Sequence, residues 1–85
     1  MDVLKAFGTA LRRARDHRRL TQEELAHRAG VTVGYLSQLE NGRRNPTLLI
    51  ITALCGALEI TLPELINETT VNSRPNSDRD NSRDD

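Results

Sequence analysis

The sequence predicts an all-α fold, a compact bundle of five short helices. Three observations carry this. Apolar residues recur at helical spacing, and no stretch alternates as a half-buried strand would. Two segments, Thr21-Gln22-Glu23-Glu24 and Thr61-Leu62-Pro63-Glu64, have the Ser/Thr-x-x-Glu form of a helix-starting capping box. A single Phe, a single Tyr and no Trp leave an aliphatic core, which suits small packed helices better than an aromatic-rich sheet. At 85 residues the chain holds one domain, and a domain of this size buries only about 60% of its unfolded surface, so the core is modest.

The elements follow in order. Leu4, Phe7, Leu11 and Ala14 form an apolar stripe that predicts a first helix from about Asp2 to His17. The first capping box opens a short second helix that runs to Ala29, with Leu25 and Ala29 on its buried side, and Gly30 stops it. Thr32 reads as the N-cap of a third helix, which buries Leu36 and Leu39 and ends near Asn41-Gly42. Pro46-Thr47 opens a fourth, from about Leu48 to Leu58. The second capping box, with Pro63 in the permitted first turn, starts a short fifth helix carrying Leu65 and Ile66. From Thr69 the chain is almost wholly Asn, Ser, Asp, Thr and Arg. It lacks the apolar surface to offset its ordering entropy, so the domain is expected to span 1–68 and a disordered polar tail 69–85.

Composition bounds the function. Cys55 is the sole cysteine, so no internal disulfide framework exists, which favours a reducing cytoplasm. No apolar run reaches the roughly 18 residues of a membrane span, and the N-terminus lacks a signal-peptide apolar region. The glycosylation pattern Asn67-Glu68-Thr69 is discounted for want of a secretion signal. The formal net charge is zero, yet Arg12, Arg13, Arg15, Arg18 and Arg19 cluster near the end of the first helix. A run of this kind is ordinarily a solvated face.

The second and third helices are the informative pair. They are short and joined by a turn of about three residues around Gly30. Ala26 is small where the two must approach, and Leu25, Ala29, Val31, Leu36 and Leu39 fall where a two-helix unit needs apolar packing. This is the pattern of a helix-turn-helix, whose second helix can lie in a DNA major groove.

The segment from Phe7 to Leu65 resembles the Cro/repressor-type (XRE-like) helix-turn-helix family of small bacterial and phage DNA-binding domains. The pieces "LTQEELA", "AGVT", "YLSQLENGRRNPT" and "LPEL" stand in that family's order and spacing. The resemblance implies a lambda-repressor-like bundle of five helices, DNA binding through the third, and a homodimer on a two-fold-related operator. It places Gln22 on a phosphate, where helix N-terminal amides can join it. It makes Thr32, Val33, Gly34 and Tyr35 base-facing, with Ser37 and Gln38 following, and runs Asn41, Arg43, Arg44 and Asn45 along the backbone. Gln38 is the leading candidate for direct readout, because Gln can pair bidentately with adenine N6 and N7. Val33 offers only an apolar surface, for example to a thymine methyl. Plainer roles remain open at this point: Thr32 as a cap, Ser37 as a small helix residue, and Tyr35 as cover for the core edge. The resemblance also pairs Arg15 with Glu40 in an internal salt bridge, leaving Arg12 and Arg13 to reach phosphates or solvent.

The sequence departs from the family in three places. Arg19 and Glu59 stand where Gly commonly closes helices one and four, and helix four is unusually apolar. Leu49, Ala53, Gly56 and Ile60 form one stripe on it, separate from the Leu48, Ile51, Cys55 and Leu58 side. A helix apolar nearly all round is buried on more than one face. A homodimer through helices four and five is therefore expected, with Leu49, Ala53, Ile60, Leu62 and Ile66 as candidates.

No metal or cofactor site is expected: His17 and His27 lack ligand spacing and read as surface residues, and Cys55 reads as a small core hydrophobe. No nucleophile–base pair or phosphate loop suggests an enzyme. The expected function is a sequence-specific DNA-binding transcriptional regulator in the bacterial or phage cytoplasm, nucleoid-associated, with no small-molecule ligand. A phage-type repressor, a restriction–modification controller and an antitoxin-like autoregulator all fit. The alternative is a protein-interaction module, or antitoxin-like partner-binding protein, using the same fold. Val33 and Gly34 at base-facing positions keep it open.

Overall fold

The computed structural model describes residues 2–73. Among them α1 (Val3–His17), α2 (Gln22–Ala29), α3 (Val33–Glu40), α4 (Leu48–Leu58) and α5 (Leu62–Ser73) follow in order, with no strand. Local chemistry sets each start. Asp2, Thr21, Thr32 and Thr47 are N-caps, each accepting the backbone N–H of the residue three further on. Both predicted capping boxes form. Glu24 accepts the Thr21 N–H at 2.8 Å while Thr21 Oγ1 accepts the Glu24 N–H at 3.0 Å. Thr61 and Glu64 repeat the exchange at 2.7 and 3.2 Å.

The first four helices end alike, in a left-handed residue flanked by two backbone bonds that recover the last carbonyls. In α1, Arg19 N–H donates to Asp16 O and Leu20 N–H to Arg15 O. In α4, Glu59 donates to Gly56 O and Ile60 to Cys55 O. The left-handed residues are Arg19, Gly30, Gly42 and Glu59, with φ of 58°, 75°, 72° and 59°. So the two departures from glycine keep the turn and accept its strain, about 1–2 kcal/mol each. Arg18 ties these corners together, donating from Nη2 to Glu59 O at 2.9 Å.

The helices pack as α1 on α3 and α5, α2 on α3 and α4, and α4 on α5. They enclose Phe7, Ala10, Leu11, Leu25, Ala26, Leu36, Leu39, Leu54, Cys55, Leu58 and Leu65. Apart from Phe7 this core is free of aromatic rings, as the composition requires.

Two expectations change. The fifth helix is not short: α5 continues past Glu68 to Ser73. Thr69, placed at the start of the tail, is buried, and its hydroxyl donates to Leu65 O at 2.9 Å. That local bond satisfies a polar group inside the bundle, so composition alone set the boundary too early. Residues 74–85, the rest of the expected tail, lie outside the described residues. On α4, Leu48 shares a side with Ile51, Cys55 and Leu58 by spacing, yet Cys55 and Leu58 are buried and Leu48 is 68% exposed. It is the first residue of the helix, ahead of the turn that packs.

Candidate nucleic-acid interface

The α2–α3 unit is built around one turn. Gly30 is left-handed, and a Cβ added there would meet nothing within 4 Å, so backbone conformation rather than space selects glycine. Val31 N–H returns to Ala26 O at 3.0 Å, and Val31 leans on the core. Thr32 then caps α3, its Oγ1 accepting the Tyr35 N–H at 3.1 Å. Leu36 and Leu39 are fully buried. The opposite side of α3 is therefore presented outward: Thr32, Val33, Gly34 and Gln38 are exposed, with Tyr35 and Ser37 at its half-buried margin.

Two devices fix α3 against the bundle. The first is the carboxylate of Glu40, which is only 7% exposed. Arg15 Nε donates to Glu40 Oε2 at 2.6 Å and Arg15 Nη2 to Oε1 at 3.1 Å, while Arg15 Nη1 donates to Leu20 O at 2.8 Å. The Glu40 hydrogen bond, opposed by burial, raises the Arg15 pKa and holds the guanidinium charged. Glu40 Oε1 also accepts from Gln22 Nε2 at 3.0 Å. A carboxylate only accepts, so this bond fixes which end of the Gln22 amide faces inward. Gln22, expected on a phosphate, thus spends one amide hydrogen on Glu40 and has one left to donate outward. The second device is Gly8, where a Cβ would lie 2.5 Å from Leu39 O and 2.6 Å from Glu40 O. Only glycine lets α1 cross the end of α3 at this distance. At the next turn, a Cβ on the left-handed Gly42 would lie 2.6 Å from Lys5 Cγ.

Further expected contact residues interact with one another within the protein. Arg44 folds back from its loop. Its Nε donates to Gln38 Oε1 at 2.8 Å, and its guanidinium carbon stands 5.3 Å from the Tyr35 ring centroid. Asn41 Nδ2 donates to Ser37 O at 2.9 Å, finishing the end of α3. Arg43 and Asn45 are exposed beside it. At Gly34 a Cβ would meet open space, so no packing demand explains that glycine.

Sequence reasoning missed Gly8, Lys5 and the fold-back of Arg44. Gly8 had a signal, a glycine inside an otherwise helical stripe. The other two depend on tertiary approach and left none. Elsewhere, Leu49 is 82% and Ile66 44% exposed. Ala53, Ile60 and Leu62 are half-buried, the last two against the protein's own core. His17 and His27 are exposed, and burial pushes the Cys55 thiol pKa up. Among the described residues no cluster of His, Cys, Asp or Glu is arranged to hold a metal, and no single helix is long and apolar enough to cross a membrane.

Two short capped helices joined by a left-handed glycine turn, the second locked by its buried side and exposed on its outer one, form a helix-turn-helix. The helix-turn-helix family profile matches residues 11–65, and the chain belongs to that family. It is 44% identical over 69 residues to an uncharacterized HTH-type transcriptional regulator, y4dJ, of Sinorhizobium fredii, covering 81% of this chain and 90% of that protein. It is 36% identical over 64 residues to the immunity repressor protein of Bacillus phage phi105, covering 75% of this chain but only 44% of that protein. The crystal structure of the clp gene regulator ClgR from C. glutamicum superposes with a TM-score of 0.84 at 31% identity, covering 87% of this chain and 96% of that one.

Proposed function

We propose that this DNA-binding transcriptional regulator occupies a two-fold-related operator as a homodimer, with α3 in the major groove. The observation that carries the reading is the outer face of α3. Thr32, Val33, Gly34 and Gln38 are exposed there, while the inner side is locked through Leu36, Leu39 and Glu40. The first turn brings free backbone N–H groups and a small residue, Gly34, toward the duplex. Tyr35 and Gln38 supply hydrogen-bonding groups, and Arg43 and Asn45 flank them for phosphates. Gln22 reaches a phosphate with its remaining amide hydrogen, and Arg12 adds an exposed cation. With zero net charge, the protein has little sequence-independent attraction. Each phosphate neutralised contributes only about 0.9 to the salt slope, so a single protomer binds non-cognate DNA weakly.

Pairing of protomers offsets this. Leu49 and Ile66 are exposed apolar side chains on neighbouring helices, with Ala53 and the exposed Gly56 following Leu49 along α4. Burying this face against a second copy removes Leu49, the most exposed large apolar side chain among the described residues, and Ile66 from water. Sedimentation of Leu49→Glu checks it: the variant is expected to be monomeric with an unchanged fold, and a surviving dimer would place the interface elsewhere. Regulation on this reading is by occupancy and concentration, in the cytoplasm and on the nucleoid.

A gel-shift with the DNA upstream of its own gene tests the function. A sequence-dependent complex that weakens with salt is expected. Its absence, together with capture of a protein partner through Val33 and Gly34, would favour the interaction-module alternative, which rests on the lack of polar readout at those positions.

A further inference from the structure

The Arg44–Gln38–Tyr35 cluster changes what α3 can read. Arg44 Nε donates to Gln38 Oε1 at 2.8 Å, and the guanidinium is held on its other side over the Tyr35 ring, 5.3 Å from the centroid. A free glutamine offers one acceptor and two donors. It can therefore match adenine, whose major-groove edge presents the N7 acceptor and the N6 donor. Here the acceptor is engaged by a cation. The remaining lone pair of Oε1 sits beside a positive charge that repels the N6 hydrogens of adenine. What stays available is Gln38 Nε2, with two hydrogens and no acceptor.

We infer that Arg44 is a specificity-determining positioning residue: by holding Gln38 Oε1 it converts Gln38 into a donor-only reader, which selects guanine over adenine at the base pair Gln38 faces. Guanine presents two acceptors, N7 and O6, on the major-groove edge, the complement of a donor-only amide. Arg44 in this role stays against Gln38 and Tyr35 in the complex and does not leave for a phosphate. The inference rests on the reading of α3 as the groove-facing helix and adds the polarity of its central contact.

The test is a binding selection from a random duplex pool, followed by affinity measurements over a salt series on single-base variants. The full chain is used as wild type, Gln38→Ala and Arg44→Met. All three residues of the cluster lie at the surface or its margin, and thermal melting confirms that the variants fold. In the wild type, one position per half-site is expected to prefer guanine over adenine by about tenfold, and Gln38→Ala to abolish that preference. Arg44→Met is expected to turn the same position toward adenine, with the salt slope unchanged. Three results overturn the inference. Arg44→Met could weaken all sequences alike and lower the salt slope by about 0.9, the signature of a phosphate contact. The guanine preference could survive Gln38→Ala, which would make Arg44 itself the reader. Or the Gln38-dependent position could prefer adenine in the wild type. If the wild type enriches no sequence at all, the groove-facing reading of α3 fails, and this inference with it.

Discussion

At the scale of single residues, the position of α3 depends on a buried charge and a missing side chain. Glu40 carries its carboxylate into the bundle and accepts from both Arg15 and Gln22. A buried pair of this kind adds little net stability, but breaking it leaves an uncompensated charge, at a cost of about 3–5 kcal/mol. Arg15→Met is accordingly expected to lower the thermal midpoint by more than 10 °C, taking about 4–8 °C per kcal/mol for a domain of this size. A variant that melts with the wild type but no longer binds DNA would move Arg15 to the interface. The glycines divide in the same way. Gly8→Ala places a Cβ against two backbone carbonyls that cannot swing aside, and overpacking of this sort costs roughly 1–3 kcal/mol. Gly34→Ala meets open space and is expected to raise stability by up to about 1 kcal/mol, since helical glycine is less favourable than alanine. Equal effects in thermal melts would contradict the contrast. The sequence pointed to the Arg15–Glu40 pair only through family resemblance, and to Gly34 through its odd placement. It could not reveal Arg44 on Gln38, because a loop residue's partner is decided by how the chain turns at Gly42.

At the scale of elements, helix starts were legible because a cap is a local bargain between a side chain and amides three residues away. Thr21, Thr32, Thr47 and Thr61 all act as the sequence reads. Helix ends were less so. Arg19 and Glu59 are left-handed although neither is glycine, and only the backbone bonds at Leu20 and Ile60 show why. The capping boxes also set an acid limit. Bonds from the Thr21 and Thr61 backbone N–H groups hold the Glu24 and Glu64 carboxyls below their ordinary pKa. A carboxylate whose pKa is lower in the folded than in the unfolded state stabilises fully above the unfolded value. That contribution is lost as pH falls through the folded value. The helix starts are therefore expected to weaken from about pH 5 downward. Melting curves of Glu24→Gln/Glu64→Gln across this range check the point: the variant should lose less stability with acid than the wild type. An identical acid response would mean that other carboxylates govern it.

At the scale of the molecule, the five-helix order and the core follow from apolar spacing, whereas the outward helix was legible only through the helix-turn-helix pattern and the family resemblance. The apolar excess of α4 is a molecular property too: Leu49 has no place in the protein's own core, and the proposed second copy would give it one. The length of α5 was not legible, since burial of Thr69 depends on how α5 packs rather than on its own composition. The central claim is that the exposed side of α3 reads DNA sequence. It is tested most directly by selecting wild-type protein and a Gln38→Ala variant against a random duplex pool and comparing the enriched sequences. The account predicts a two-fold-related motif for the wild type and loss of preference at one symmetric pair of positions for the variant. An identical motif from both proteins, or none from the wild type, would contradict it.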